Sequence, residues 1–115
     1  MSDAVRPRDR RLHQGWQFRE VYQSGKSFRG SLMTLVSLPR RPDRGRVAYV
    51  AGRKVGPAVR RNRAKRLLRE SFRHLTPSVR DQAFWRIWIA KSGCALATLA
   101  EVSAEMEDLL SREPT

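Results

Sequence analysis

The sequence predicts a single α+β domain whose elements follow the order α-β-β-α-β-α. The chain has 115 residues, 40% of them hydrophobic, which is enough for one modest core but too little for two. Runs of apolar and β-favouring residues that end at Pro or Gly indicate strands, and other segments carry apolar residues at helical spacing. The alternation of these two kinds of segment along the chain predicts the mixed fold.

The first half of the chain is predicted to contain one helix and two strands. A short helix is expected over Gly15–Ser24, with Gly25 placed to end it. Residues 27–39 form a β-favouring run that stops at Pro39, residues 40–46 contain turn residues, and residues 46–54 form a second strand. We expect these two strands to pair as a hairpin.

The second half of the chain is predicted to add two helices and a third strand. One helix begins near Pro57, runs to about Leu75 and stops before Pro77, and residues 83–93 form an aromatic-rich strand. The last helix covers residues 98–113, where Thr98 and Glu101 have the capping-box spacing. Its apolar stripe consists of Leu99, Val102, Met106, Leu109 and Leu110.

The N-terminal residues 1–11 differ in composition from the rest. They are polar and basic and include Pro7, so we predict a flexible basic arm ahead of one domain that covers residues 12–113.

The net charge points to a polyanionic partner. Lys and Arg total 24 against 11 Asp and Glu, which gives a formal charge of +13. Such an excess produces self-repulsion in the folded state, and Arg supplies most of it; its planar guanidinium matches phosphates and stacks on bases. Composition therefore favours a nucleic-acid partner over a membrane surface.

Other classes of protein are not indicated. No apolar stretch approaches the roughly 18 residues of a membrane span, and the N-terminus lacks the apolar core of a signal peptide. The single cysteine, Cys94, allows no internal disulfide, and with two histidines it matches no usual zinc spacing. We expect a cytoplasmic protein with no metal site of its own.

The helix after Pro57 is predicted to have two different faces. At about 100° per residue, one side is mainly apolar and the opposite side is basic over roughly 16 Å, long enough to follow several phosphates. The apolar side holds Ala64, Leu67, Leu68, Ser71, Phe72 and Leu75. The basic side holds Asn62, Lys65, Arg66, Arg69 and Arg73.

The alternative interpretation of this basic side is a solvated surface without a partner. Residues 53–73 carry nine Arg or Lys and one acid, Glu70. Arg63 is expected to lie near Glu70. A merely solubilising helix would gain from interspersed Glu, because i,i+4 ion pairs support helices. The pattern therefore favours nucleic-acid binding, without implying that any base sequence is recognised.

The same segment carries a recognisable motif. "AVRRNRAKRLLR" (58–69) closely resembles the signature of the protein subunit of bacterial ribonuclease P, with Arg61-Asn62-Arg63 as its centre. "RLHQGWQFREVYQSG" (11–25) resembles the N-terminal segment of that family, "GRVAYVAGRKVGPAV" (45–59) its strand before the signature, and "FWRIWIAKSG" (84–93) its last core strand. The resemblance covers about residues 11–112.

This resemblance implies a fold and a function. The implied fold is an α/β sandwich similar to the second domain of ribosomal protein S5, with a left-handed β-α-β crossover through the signature helix. The implied function is to bind ribonuclease P RNA and the 5′ leader of precursor tRNA, which promotes maturation of the tRNA 5′ end. The RNA, with Mg²⁺, would carry out the endonucleolytic hydrolysis, so the protein would hold no catalytic residue, bind no Mg²⁺ and require no protein partner.

The resemblance also implies which residues bind RNA. Those matching the signature helix, and the end of the strand before it, are Arg53, Lys54, Arg60, Arg61, Asn62, Arg63, Lys65 and Arg66. Arg69 and Arg73 join them from the helical geometry alone.

A cleft for the single-stranded leader is implied between the first helix and the sheet. Phe18 and Tyr22 match the aromatic residues of that cleft in the family, although aromatic residues on a helix are more commonly core residues. On the first strand, Val36 stands where the family often has an aromatic residue, and Phe28 could compensate for it.

Three other functions stay open from the sequence. A structural RNA-binding protein of the ribosome would fit the composition and the S5-like fold equally well. A protein nuclease would need clustered carboxylates, whereas the acids here are concentrated in the last helix. DNA binding is compatible with the charge, but no helix is indicated that would read a groove at spaced half-sites.

Overall fold

The computed structural model describes residues 11–40, 43 and 45–114 as one layered α+β unit. The elements are α1 (Gly15–Ser24), β1 (Lys26–Arg29), β2 (Met33–Pro39), β3 (Arg46–Ala51), α2 (Ala58–Arg73), α3 (Pro77–Arg80), β4 (Phe84–Ala90) and α4 (Leu99–Ser111). The predicted arm lies outside the described residues except for Arg11, which forms a bridge to Val47 of β3. No helix in the described ranges is both long and apolar enough to cross a membrane.

The four strands form one sheet in the order β1-β2-β4-β3. β1 pairs antiparallel with β2, β2 pairs antiparallel with β4, and β3 pairs parallel with β4. The parallel pair is joined through α2, so a β-α-β crossover through the basic helix is present. The left hand that the resemblance implies for it stays a prediction.

The predicted hairpin between residues 27–39 and 46–54 is wrong in two respects. Residues 27–39 divide into β1 and β2, which turn at residues 30–32 and pair with each other. β2 and β3 are not neighbours, because β4 lies between them. β4 is the most apolar strand of the chain. In the centre of the sheet it has a neighbouring strand along each edge, β2 on one side and β3 on the other.

The core has two parts, one on each face of the sheet. On one face α2 and α4 cover β2 and β4, with Leu35, Leu68 and Trp88 fully buried. On the other face α1 covers part of the sheet around Val21 and Trp85. The two tryptophans of β4 therefore lie on opposite faces and are both buried, as strand alternation requires.

The bounds of α1 match the prediction. A glycine is needed at position 25, where α1 ends, for a steric reason. Gly25 has an ordinary φ of −81°, and its N–H donates to Val21 O. A Cβ at this position would stand 2.5 Å from Val21 O and 2.9 Å from Ser37 O, both of them backbone atoms. Only glycine lets α1 end this close to β2.

The bounds of the later helices differ only at their ends. α2 stops at Arg73, and Pro77 begins a separate short helix, α3. At α4 the predicted capping box is confirmed: Thr98 Oγ1 accepts from Glu101 N at 3.1 Å, and Glu101 Oε1 accepts from Thr98 N at 2.8 Å. The predicted stripe of α4 is buried or half-buried except at Leu99, which is exposed.

A buried ion pair joins the C-terminal segment to the sheet. Arg86 of β4 donates through Nε and Nη2 to the two carboxylate oxygens of Glu113, each at 2.7 Å, and Ser37 Oγ donates to Glu113 at 2.6 Å. Both charged side chains are almost fully buried, at 1% and 4% exposure. Arg86 also donates to Gln82 and to Val79 O, so its guanidinium is well supplied with acceptors.

Replacement of Gly25 by Ala is expected to destabilise the domain. The new methyl group would meet backbone oxygens that cannot move without separating α1 from β2, so we expect a loss of about 1–3 kcal/mol in the free energy of unfolding, measured in urea. Gly52→Ala is the matched control, because a Cβ at Gly52 meets nothing within 4 Å. Equal stability of the two variants would contradict the steric role of Gly25.

Replacement of Glu113 by Ala is expected to leave Arg86 as an uncompensated buried charge. The expected cost is about 3–5 kcal/mol in the free energy of unfolding, and the double change Arg86→Met with Glu113→Leu should recover much of it. Asp108→Ala is the control, because Asp108 pairs with Arg112 on the surface of α4 and its loss should cost well under about 1 kcal/mol. A Glu113→Ala protein as stable as the control would mean that the buried pair does not hold the C-terminal segment.

Candidate nucleic-acid interface

One end of the sheet is the starting point of the candidate interface. β3 and β4 both finish there, at the paired residues Ala51 and Ala90, and β2 begins there at Met33. The chain continues from β3 through Gly52 and a 3-10 turn, Arg53–Val55, into α2. The first turn of the basic helix therefore lies at this end of the sheet, which we call the open end.

The two predicted faces of α2 are confirmed. Ala64, Leu68, Ser71 and Phe72 are buried, and Leu67 and Leu75 pack partly against the same core. On the opposite side Asn62, Arg66, Arg69 and Arg73 are exposed and Lys65 is half-buried. We call this outward side, together with Arg53, Lys54, Arg60 and Arg61, the basic surface.

Several arginines of α2 are engaged within the protein. Arg63 donates from Nε to Ala95 O at 2.7 Å, which ties α2 to the turn before α4. Arg69 lies over the ring of Tyr49, with its Cζ atom 5.6 Å from the centroid. Burial raises the pKa of Tyr49 well above its usual value, against the opposing charges of Arg69 and Arg80.

Arg63 and Glu70, which are expected to lie near each other, form no ion pair within the described residues. Glu70 bonds to Arg73 and lies 3.2 Å from His74 Nε2, because these residues are one turn further along the same helix face. The hydrogen bond from Arg73 holds the pKa of Glu70 below its usual value. Arg73 is thus partly neutralised.

By contrast, the cations near the start of α2 are unpaired. Within the described part of the chain, no side-chain hydrogen bond or ion pair involves Arg53, Lys54, Arg60, Arg61, Lys65 or Arg66. The unpaired charge of the basic surface is therefore concentrated toward the open end, and this set includes most of the residues that the family signature singled out.

The other face of the sheet, where the resemblance implies the leader cleft, is partly uncovered at the same end. α1 covers Val36, Ala48 and Ile87, so these side chains are buried. Two residues further along each strand, Thr34, Val50 and Ile89 occupy the same face by register but are only half-buried. These three residues form a short, mainly apolar platform that α1 leaves partly uncovered, and it would be the floor of the predicted cleft.

The wall of this cleft is one flank of α1. Trp16 contacts Trp85, which lies at the end of β4 away from the open end. At about 100° per residue, Phe18 and Tyr22 lie about 200° and 240° around the helix from Trp16, so they are on the flank toward the open end. Phe18 is half-buried against the α1 side of the core, Tyr22 is 48% exposed, and burial raises the pKa of its phenol.

Two of the predicted cleft residues do not line it. Phe28 is opposite Leu35 in the register and packs against the α2–α4 core, so it faces away from Phe18, and its expected compensating role is wrong. Val36 is on the correct face but is only 4% exposed beneath α1. Thr34, Val50 and Ile89 were not among the predicted residues, because strand alternation identifies them only once the register and the position of α1 are known.

The acidic residues do not gather into a metal-binding group in the described residues. There, no three His, Cys, Asp or Glu side chains are close enough to hold one ion. Glu105 is engaged at the β1–β2 turn beside the open end, where it accepts from the backbone N–H groups of Ser31, Leu32 and Met33 at 2.7–3.0 Å.

Comparison with known proteins identifies a family for this chain. The family model described as Ribonuclease P matches residues 7–113. The ribonuclease P protein component of Caldanaerobacter subterraneus is 32% identical over 104 residues, which cover 90% of this chain and 89% of that protein. That of Chloroflexus aggregans is 44% identical over 72 residues, covering 63% of this chain but only about half, 53%, of the relative.

A solved structure extends the similarity to three dimensions. The ribonuclease P protein of Thermotoga maritima is 27% identical and superposes with a TM-score of 0.78 over 91% of this chain and 98% of that one. The shared fold, the family match over nearly the whole chain and the identity to full-length relatives agree with one another. The chain belongs to the ribonuclease P protein family.

Proposed function

We propose that this chain is the protein subunit of a ribonucleoprotein ribonuclease P, in which it binds the catalytic RNA and the 5′ leader of precursor tRNA. The observation that carries the proposal is the meeting of two surfaces at the open end of the sheet. The unpaired cations of α2 lie on one side of this end, and the apolar cleft beside Phe18 lies on the other. One RNA chain and a second, single-stranded segment could therefore be held next to each other.

The basic surface is suited to the catalytic RNA. The guanidinium groups of Arg53, Arg60, Arg61 and Arg66 make no side-chain hydrogen bond or ion pair in the described part of the chain, so internal acids would not compete with phosphates for them. They lie on a rigid helix that is anchored by Leu68 and Phe72, so little ordering is needed on binding. Such contacts orient an RNA without reading its bases.

The cleft is suited to a single-stranded leader. Phe18 and Tyr22 offer rings on which bases can stack, each stack being worth about 1–3 kcal/mol, and the platform of Val50 and Ile89 excludes water beneath them. Mature tRNA has no leader and gains nothing from this surface. The cleft would therefore favour substrate over product.

The net charge of the protein would also help to bring the catalytic RNA and its substrate together. The catalytic RNA and its substrate are polyanions that repel each other, and a subunit with a charge of +13 lowers this repulsion. Less Mg²⁺ is then needed to bring them together. In this arrangement the RNA holds the catalytic Mg²⁺ and hydrolyses the bond, while the protein positions the substrate.

Cleavage of a 5′-extended precursor tRNA at low Mg²⁺ tests the proposal. With the catalytic RNA present, addition of the protein is expected to restore accurate 5′ processing, and the protein alone is expected to cleave nothing. If the protein binds RNA but does not promote processing, the proposal is wrong, and a structural RNA-binding role in the ribosome becomes the better interpretation.

Truncation of one side chain on each surface should weaken binding of a different RNA. Arg66→Ala is expected to lower the affinity of the protein for the catalytic RNA and to reduce the salt dependence of binding by about one phosphate contact. Phe18→Ala is expected to lower the affinity of the holoenzyme for precursor tRNA by about 1–3 kcal/mol but to leave its affinity for mature tRNA unchanged. Filter binding over a series of salt concentrations measures both effects.

Matched variants separate these effects from general damage. Arg112→Ala removes an exposed cation from α4, where it pairs with Asp108, and should leave both affinities unchanged. Phe18→Leu keeps the apolar volume but removes the ring, so it should behave like Phe18→Ala toward the leader. Leader-dependent affinity that survives both Phe18 variants would contradict the proposed division between the two surfaces.

A further inference from the structure

The flank of α1 that faces away from the cleft carries a second exposed aromatic residue. Trp16 is 48% exposed although Trp is among the most apolar side chains, and the other two tryptophans of the chain are buried. Its ring lies 5.7 Å from that of Trp85 with an angle of 59° between the planes. The contact with Trp85 fixes the position of Trp16. Because the two rings are tilted rather than parallel, much of the Trp16 surface stays free.

The position of Trp85 is itself fixed by polar partners. Its Nε1 donates to Asp43 Oδ2 at 2.8 Å, and the guanidinium of Arg40 lies over its ring, 4.7 Å from the centroid. Arg46 donates to the same carboxylate oxygen at 2.8 Å. Trp16 therefore packs against a tryptophan, Trp85, whose own position is fixed by Asp43 and Arg40.

Two arginines lie near the Trp16–Trp85 pair, one over Trp85 and one on α1. Arg40, whose guanidinium lies over Trp85, makes a long ion pair with Glu20, at 3.8 Å, with both side chains more than a third exposed. Arg19, one turn along α1, is exposed, and its Nη1 would be 3.5 Å from a Cβ placed on Gly15, so its guanidinium lies beside the start of the helix. In sequence, the adjoining loop 40–46 contains four arginines and one acid.

We propose that Trp16, Arg19 and Arg40 form a second binding surface for single-stranded RNA, on the opposite side of α1 from the cleft. A base stacks on the free face of Trp16, and the two guanidinium groups bind the neighbouring phosphates. An exposed aromatic ring between cations is the combination that binds single strands without sequence preference. We call these three residues the Trp16 surface.

The charge distribution favours RNA over a protein as the occupant. A basic protein would be repelled by the net charge of +13, and an acidic protein could pair with Arg19 and Arg40 but would bring no base to stack on the exposed Trp16 ring. A flexible polyanion with its own aromatic bases meets both features at once. The proposal concerns a different surface from the cleft and does not need the cleft to bind the leader.

The test is binding of the full-length protein to an oligoadenylate of about 12 nucleotides, within the range of single-strand site sizes, at low salt. Affinity is followed by anisotropy of a labelled RNA, and stacking is followed by quenching of tryptophan emission, to which the exposed Trp16 should respond most. We expect quenching on binding, and we expect Trp16→Ala to weaken binding between about fivefold and a hundredfold.

Two further variants keep the test decisive if Trp16→Ala destabilises α1. Trp16→Phe retains a ring on Trp85 and is expected to keep most of the affinity while it abolishes the quenching. Arg19→Gln is on the exposed side of the helix and is expected to lower the slope of log affinity against log salt by about 0.7, as for one lost phosphate on a single strand. Phe18→Ala, assayed in parallel, reports on the cleft alone, so failure of one surface is distinguishable from failure of the other.

Three results would overturn the proposal. Wild-type affinity in a folded Trp16→Ala protein would show that no base stacks there. Quenching that persists in Trp16→Phe would assign the signal to the buried tryptophans. A change of Trp16 emission with protein concentration in the absence of RNA would identify the surface as a contact between two copies of the chain.

Discussion

The structure depends on the packing of one side of α2 against the sheet. Leu68 and Phe72 are buried between the sheet and α4, so α2 cannot rotate, and its opposite side must face solvent whatever charge it carries. The repulsion among the outward cations is a cost that burial of this apolar side offsets. A basic surface of fixed shape is the consequence, and a flexible basic tail of equal charge could not provide it without paying for its own ordering on binding.

The central position of β4 turns this surface into part of a larger site. Its tryptophans alternate, so Trp88 supports the α2 layer and Trp85 supports the α1 layer. Its parallel pairing with β3 brings the end of β3 and the beginning of α2 to the edge where α1 leaves the other face uncovered. The basic surface and the cleft are thus on different layers but meet at one end, and neither layer alone would bring them together.

Local features of the fold were predictable from the sequence, and long-range ones were not. The bounds of α1, the faces of α2 and the capping box at Thr98 follow from spacing within a few turns of helix. The side of the sheet on which Phe28 lies depends on its pairing with Leu35, and the insertion of β4 between β2 and β3 depends on residues nearly forty positions away. The family resemblance supplied the functional hypothesis and the cleft, but it did not identify Thr34, Val50 and Ile89 as the uncovered platform.

The arginines fall into two groups according to where their hydrogen bonds go. Arg86 is saturated by Glu113, Gln82 and a carbonyl, and Arg63 donates to Ala95 O; these guanidiniums hold segments of the protein together. Arg66 and its neighbours at the start of α2 make no side-chain hydrogen bond or ion pair within the described chain. Their charge is therefore available to a partner. Because that charge destabilises the free folded protein, a polyanion that neutralises it must also stabilise the fold, in proportion to how tightly it binds. In the proposed complex, affinity for RNA and stability of the domain would therefore be coupled through the same residues, whereas the buried pair of Arg86 and Glu113 involves no residue of the basic surface.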